Sequence, residues 1–145
     1  MADILTADDS EQIRSLLEMI LSADGHNVIQ MNDGRAALAW LKDNTPDLMI
    51  LDVTMPFLDG IEVCSRAKRV SRLRATPIII LTAHTDDESR QRAKLAGADA
   101  FVNKPLSGKN LRSTIQEMLI KRKELKAKMD EEDAAAATGS SASNF

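Results

Sequence analysis

The sequence predicts an α/β fold, a doubly wound five-stranded parallel sheet with an extended C-terminal helix. Leu48-Met49-Ile50-Leu51 and Ile78-Ile79-Ile80-Leu81 are continuous apolar runs, too short for helices and preceded by Pro46 and Pro77. Runs of that kind read as strands buried on both faces. Stretches of helical periodicity separate them from further short apolar runs. Strictly alternating strands and helices call for a parallel sheet with right-handed crossovers. The central run stops on a carboxylate, Asp52. In open α/β sheets ligands bind outside the carboxyl ends of the strands.

The elements follow in order. Ile4-Leu5-Thr6-Ala7 is a first strand ending at Asp8-Asp9, and Ser10 caps a helix carrying Ile13, Leu16, Leu17 and Ile20 at helical spacing. Gly25 ends that helix. Val28 to Met31 is the second strand, and Asp33-Gly34 turns into a helix with Ala37, Leu38, Trp40 and Leu41. The third strand leads to Asp52, and the turn residues Pro56 and Asp59-Gly60 lead into a helix from about Gly60 to Val70, with Ile61, Val63, Cys64 and Ala67 inward. The fourth strand ends at Thr82, its helix runs from near Asp86 to Gly97, and Ala100-Phe101-Val102 is the fifth strand, ending at Asn103-Lys104-Pro105. A last helix begins after Ser107.

Residues 1–120 form the domain by this reading. Residues 121–133 extend the last helix as a basic block, Lys121 to Lys128, followed by the acids Asp130 to Asp133. Such blocks mark a solvated helix end. Leu111, Ile115, Met118, Leu125 and Met129 make a short stripe of four- and three-residue steps, interrupted at Arg122. The chain is expected to be a monomer or a weak dimer through this helix. Residues 134–145, small and polar, are expected to be disordered.

Composition excludes several classes. Aromatics are 3% and net charge is −3, so neither a base-stacking platform nor a strong field for nucleic acid or anionic lipid is expected. The single cysteine, Cys64, reads as a buried, inert thiol. No apolar run is long enough to span a membrane and no secretory signal opens the chain, so a cytoplasmic location is expected.

The chemistry gathers at the strand ends: Asp8 and Asp9 from the first, Asp52 from the third, Thr82 from the fourth and Lys104 from the fifth. A parallel sheet in the flavodoxin-like order 2-1-3-4-5 brings them to one crevice. Three crowded carboxylates repel one another and need a cation or protons. Hard oxygen ligands suit Mg²⁺, which usually has a phosphate as its other partner. A carboxylate nucleophile, an ammonium and a hydroxyl then meet the needs of a phosphoryl group carried on an aspartate.

The chain resembles the receiver domains of two-component response regulators, in a stand-alone, chemotaxis-regulator-like form. The carriers are Asp8-Asp9, the stretch Asp52-Val53-Thr54-Met55-Pro56-Phe57-Leu58-Asp59-Gly60, Thr82-Ala83, and Phe101-Val102-Asn103-Lys104-Pro105, over roughly Ile4 to Ile120. The resemblance implies that Asp52 accepts a phosphoryl group from a histidine kinase or phosphotransfer protein. It implies Mg²⁺ on Asp9, Asp52 and the backbone carbonyl of Thr54, with Asp8 acting largely through a bound water. Thr82 and Lys104 would contact the phosphoryl oxygens, and Lys104-Pro105 would be a cis peptide. Phe101 would turn in behind Thr82 and alter the face made by the fourth helix, fifth strand and fifth helix, where a downstream protein docks. Thr54 and His84, each two residues past a site residue, would tune the lifetime of the phosphoryl group. Such a module is no enzyme beyond slow self-dephosphorylation. A haloacid-dehalogenase-type phosphatase would need a second acid where Thr54 stands. A receiver fold that has abandoned phosphate would lack one of the acids, the threonine or the lysine.

Overall fold

In a computed structural model, which describes residues 1–83 and 87–143, five strands alternate with five α-helices. They are β1 (Asp3–Ala7), α1 (Glu11–Ala23), β2 (Asn27–Met31), α2 (Gly34–Leu41), β3 (Leu48–Asp52), α3 (Gly60–Lys68), β4 (Ile78–Thr82), α4 (Asp87–Ala96), β5 (Ala100–Asn103) and α5 (Gly108–Ser143). All strand pairs are parallel, in the order β2-β1-β3-β4-β5. The order is the one the sequence predicts. His84 lies outside the described residues.

Local chemistry sets the helix starts. Ser10, Asp33 and Asp59 each accept a hydrogen bond from a backbone N–H three residues on, at 3.4, 2.8 and 2.8 Å, which satisfies a donor that the first turn leaves without a partner. Gly25 and Gly97 follow helices with φ of 81° and 101°, a conformation open to a residue without Cβ.

β3 and β4 are buried along their whole length, so alternate side chains feed two cores. Leu5, Met49, Leu51, Ile78 and Ile80 pack with α2, α3 and α4 on one face. Ile4, Leu48, Ile50, Ile79 and Leu81 pack with α1 and α5 on the other. The rigid centre of the sheet thus carries Asp52 at its tip.

One boundary differs from expectation. α3 stops at Lys68, short of Val70, and Ser71–Leu73 forms a 3₁₀ turn that inserts Leu73 into the core. Beside it Arg72 donates to the carbonyls of Leu41, Lys42 and Asn44 at 2.6, 3.1 and 2.7 Å, closing the C-terminal end of α2. α5 is described as helix to Ser143, and the four alanines at 134–137 are strong helix formers. Its apolar stripe divides: Leu111, Ile115 and Met118 are buried, whereas Leu125 is exposed. No described helix is long and apolar enough to cross a membrane.

Candidate phosphoacceptor site

The strand register brings the polar residues together. Ala7 pairs with Leu51, so Asp8 and Asp52 end adjacent strands. Asp52 pairs with Leu81, and Thr82 with Asn103. The Lys104 N–H donates to the Thr82 carbonyl at 2.8 Å, and the Lys104-Pro105 peptide is cis.

Each group is held from behind. The Asp8 Oδ1 accepts from the Ser10 N–H at 2.9 Å. Arg14 Nη1 donates to the Asp8 carbonyl at 2.8 Å; no sequence motif marks this arginine. Gly60 sits against Asp52, because a Cβ there would collide with the Asp52 carbonyl oxygen. This is the physical demand behind the glycine after Asp59. Thr82 is buried at the end of β4, Thr54 is exposed beside Asp52, and Phe101 is half-buried on the edge strand against the α2–α4 core.

Lys104 Nζ donates to Asp52 Oδ1 at 3.0 Å and stands 3.3 Å from Asp8 Oδ2. The second contact is an ion pair without hydrogen-bond alignment, since the buried Asp8 Oδ2 has no hydrogen-bond partner. Burial pushes the Asp52 carboxyl above the usual range; the Lys104 hydrogen bond opposes this and the Asp8 charge reinforces it. Burial disfavours the Lys104 ammonium, but its hydrogen bond and charge interaction with Asp52 win and raise its pKa.

Asp8, Asp9 and Asp52 each present a carboxylate oxygen within 4.8 Å of the others. Two of these residues are buried and Asp9 is exposed. One lysine cannot neutralise three carboxylates, and the buried Asp8 Oδ2, which makes no hydrogen bond, has a ligand's chemistry. The donor set is all hard oxygen and open to solvent on the Asp9 side, which fits a divalent cation that keeps waters.

Away from this crevice, Cys64 is buried under α4. Its thiol is 3.6 Å from the Ala96 carbonyl, and burial pushes its pKa up to about 12.

A parallel α/β sheet that gathers three acids, a buried threonine and a lysine at its carboxyl edge defines a class of phosphate-handling signalling modules. Residues 4–116 match the family model of the response regulator receiver domain, and the chain belongs to that family. Over 119 residues it is 40% identical to the transcriptional regulatory protein AfsQ1 of Streptomyces coelicolor, a match covering 82% of this chain and 52% of AfsQ1. It is 33% identical to the protein PilG of Pseudomonas aeruginosa, covering 78% and 84%. Among solved structures it is similar to the chemotaxis protein CheY4 of Vibrio cholerae, at 36% identity and a TM-score of 0.78, covering 81% of this chain and 98% of that one. The chain spans about half the length of most of the curated relatives it matches, AfsQ1 among them. The name of AfsQ1 speaks of transcription, and lends no support to the expectation that nucleic acid is not contacted.

Proposed function

We propose that this chain is a phosphorylation-switched signalling receiver whose phosphoacceptor is Asp52. The supporting observation is the position of Asp52: a buried carboxylate at the tip of the central strand, 3.0 Å from an ammonium and within 4.8 Å of two further carboxylates. An Asp52 oxygen attacks the phosphorus of a phosphohistidine on a histidine kinase or phosphotransfer protein. The new O–P bond forms as the P–N bond breaks, and the departing imidazole takes a proton from solvent. Asp9, Asp52 and the Thr54 carbonyl would hold Mg²⁺, with Asp8 acting largely through a bound water, and the ion would supply positive charge against the transferring group. Lys104 exchanges its bond to Asp52 for a phosphoryl oxygen, and the Thr82 hydroxyl donates to another. Hydrolysis returns the carboxylate and releases inorganic phosphate slowly, at a rate tuned by Thr54 and by His84.

The output is a surface. Movement of Thr82 toward the phosphoryl group frees space into which Phe101 turns, and the α4–β5–α5 face changes. A cavity of about 400 Å³ between β5 and α5, lined by Phe101, Lys104, Pro105 and Asn110, supports this reading. Phosphorylation shifts this equilibrium only by its differential stabilisation of the active state. A downstream protein docks there, the chain acts in the cytoplasm, and it is monomeric or weakly dimeric through α5.

Intact-mass measurement after incubation with a small-molecule acyl phosphate tests the proposal. A gain of one phosphoryl group that needs Mg²⁺ and disappears in Asp52→Asn is expected. No gain in folded protein, with acyl phosphate and phosphohistidine donors alike, would overturn it.

A further inference from the structure

A groove runs between α2 and α3, on the face of the domain formed by neither α5 nor β5. Its upper part, about 540 Å³, lies under Phe57 and Leu58 and is lined by Arg35, Leu38, Lys42 and Arg66. A second pocket of about 230 Å³ shares Leu38, Lys42 and Arg66 with it and continues to Val70 and Leu73. Every charged residue lining the two pockets is basic, although the chain as a whole carries −3. The floor is aliphatic. Exposed apolar side chains stand at both ends: Phe57, 67% exposed, and Val70, 41% exposed.

Phe57 is held out on purpose by its backbone. Its φ is 72°, and the Leu58 N–H donates to the Pro56 carbonyl at 2.9 Å across it. That is the rare positive-φ γ-turn, a strained conformation for a residue with a Cβ. Glycine would suit the turn at no steric cost, and a large aromatic that only filled space would be inside. The guanidinium of Arg35 lies 3.5 Å from the ring centroid and fixes the ring at the mouth of the groove.

We infer that this groove is a docking site for an acidic amphipathic helix of a partner protein. Its leucine-type residues would cover Leu38, Leu58 and Val70 and stack on Phe57, while its carboxylates would meet Arg35, Lys42 and Arg66. An apolar floor between cationic rims matches the helix-in-groove mode of recognition. A nucleic-acid backbone would satisfy the cations and leave the floor wet, with one aromatic ring to stack on. The surface is small, so binding is weak and reversible. The inference does not rest on phosphorylation of Asp52, and its test uses unphosphorylated protein.

Backbone amide chemical shifts of the full chain, titrated with a designed helical peptide carrying a leucine stripe flanked by glutamates, test it. Shifts confined to residues 34–42 and 57–73 are expected. The same peptide with lysine for glutamate should bind at least about ten-fold more weakly. Phe57→Gly should weaken binding by about ten-fold while keeping or raising Tm, because the ring is exposed and the turn favours glycine; Arg66→Glu should abolish binding at unchanged Tm. Each of the following would overturn the assignment: equal binding of the lysine peptide, shifts centred on the α4–β5–α5 face, tighter binding of a single-stranded oligonucleotide to the same residues, or groove shifts on concentrating the protein alone, which would give the groove to a second copy.

Discussion

Asp52→Asn should stabilise the metal-free protein at neutral pH, although it removes a buried ion pair. Asp52 faces two other carboxylates within 4.8 Å; at an effective dielectric of about 20, each such repulsion is worth at least about 3.5 kcal/mol. Its attraction to Lys104 at 3.0 Å is worth about 5.5 kcal/mol on the same scale. Asp9 is exposed, so its share is screened to well under the full value. The Coulomb terms therefore nearly cancel, and the burial cost of the charge decides the sign. A net gain of about 1–2 kcal/mol is expected, or about 3–8 °C in Tm for a domain of this size. The pH dependence checks the cause. The folded-state pKa of Asp52 is raised above 3.8, so the unfolded chain ionises first as pH rises. Stability is thus lost from about pH 3.8 up to the folded value, and the loss is constant above it. The Tm difference between variant and parent should vanish near pH 3, grow as pH rises, and level off above the raised folded-state pKa. Saturating Mg²⁺ should raise the Tm of the parent more than that of the variant. A lower Tm for Asp52→Asn at pH 7 without metal, or a difference that does not change with pH, would show that charge burial at Asp52 does not set the sign.

Lys104→Ala should cost about 3 kcal/mol by leaving Asp8 and Asp52 facing each other without a cation, measured by urea unfolding. The Lys104 ion pairs should contribute fully below about pH 10.5 and be lost as pH rises through its raised folded value. Gly60→Ala drives a Cβ into the Asp52 carbonyl and should destabilise by about 3 kcal/mol, with a matching loss of phosphoryl uptake in the intact mass. Arg72→Ala removes donors to Leu41, Lys42 and Asn44 and should cost about 2 kcal/mol. Cys64 should react with a thiol reagent at pH 8 only as fast as the protein opens, since its thiol is buried and its pKa is about 12.

Much of this architecture is legible in the sequence because the controlling signals are local. Leu48–Leu51 and Ile78–Leu81 admit no other place than the sheet centre, and Ser10, Asp33 and Asp59 announce their helices by type and spacing. The convergence of Asp8, Asp9, Asp52, Thr82 and Lys104 follows from parallel topology alone, since each closes a strand. What the sequence hides depends on three-dimensional approach. Arg72 reaches back some thirty positions to the carbonyls after α2, and nothing in its neighbourhood foretells it. Phe57 is invisible as a special residue until its φ is known, because Pro56-Phe57-Leu58 looks like ordinary turn sequence. The same holds for Arg14, whose contact with the Asp8 carbonyl exists only once α1 is folded over β1.

In the proposed function the Asp52 carboxylate itself carries the phosphoryl group. Treatment of the phosphodonor-loaded protein with borohydride reduces an aspartyl phosphate to homoserine, which peptide mass spectrometry locates. Homoserine at residue 52, dependent on Mg²⁺ during loading and absent without the phosphodonor, is the expected result. A loaded protein that yields homoserine at Asp8 or Asp9, or that keeps its phosphoryl group through reduction with residue 52 still aspartate, would contradict the account.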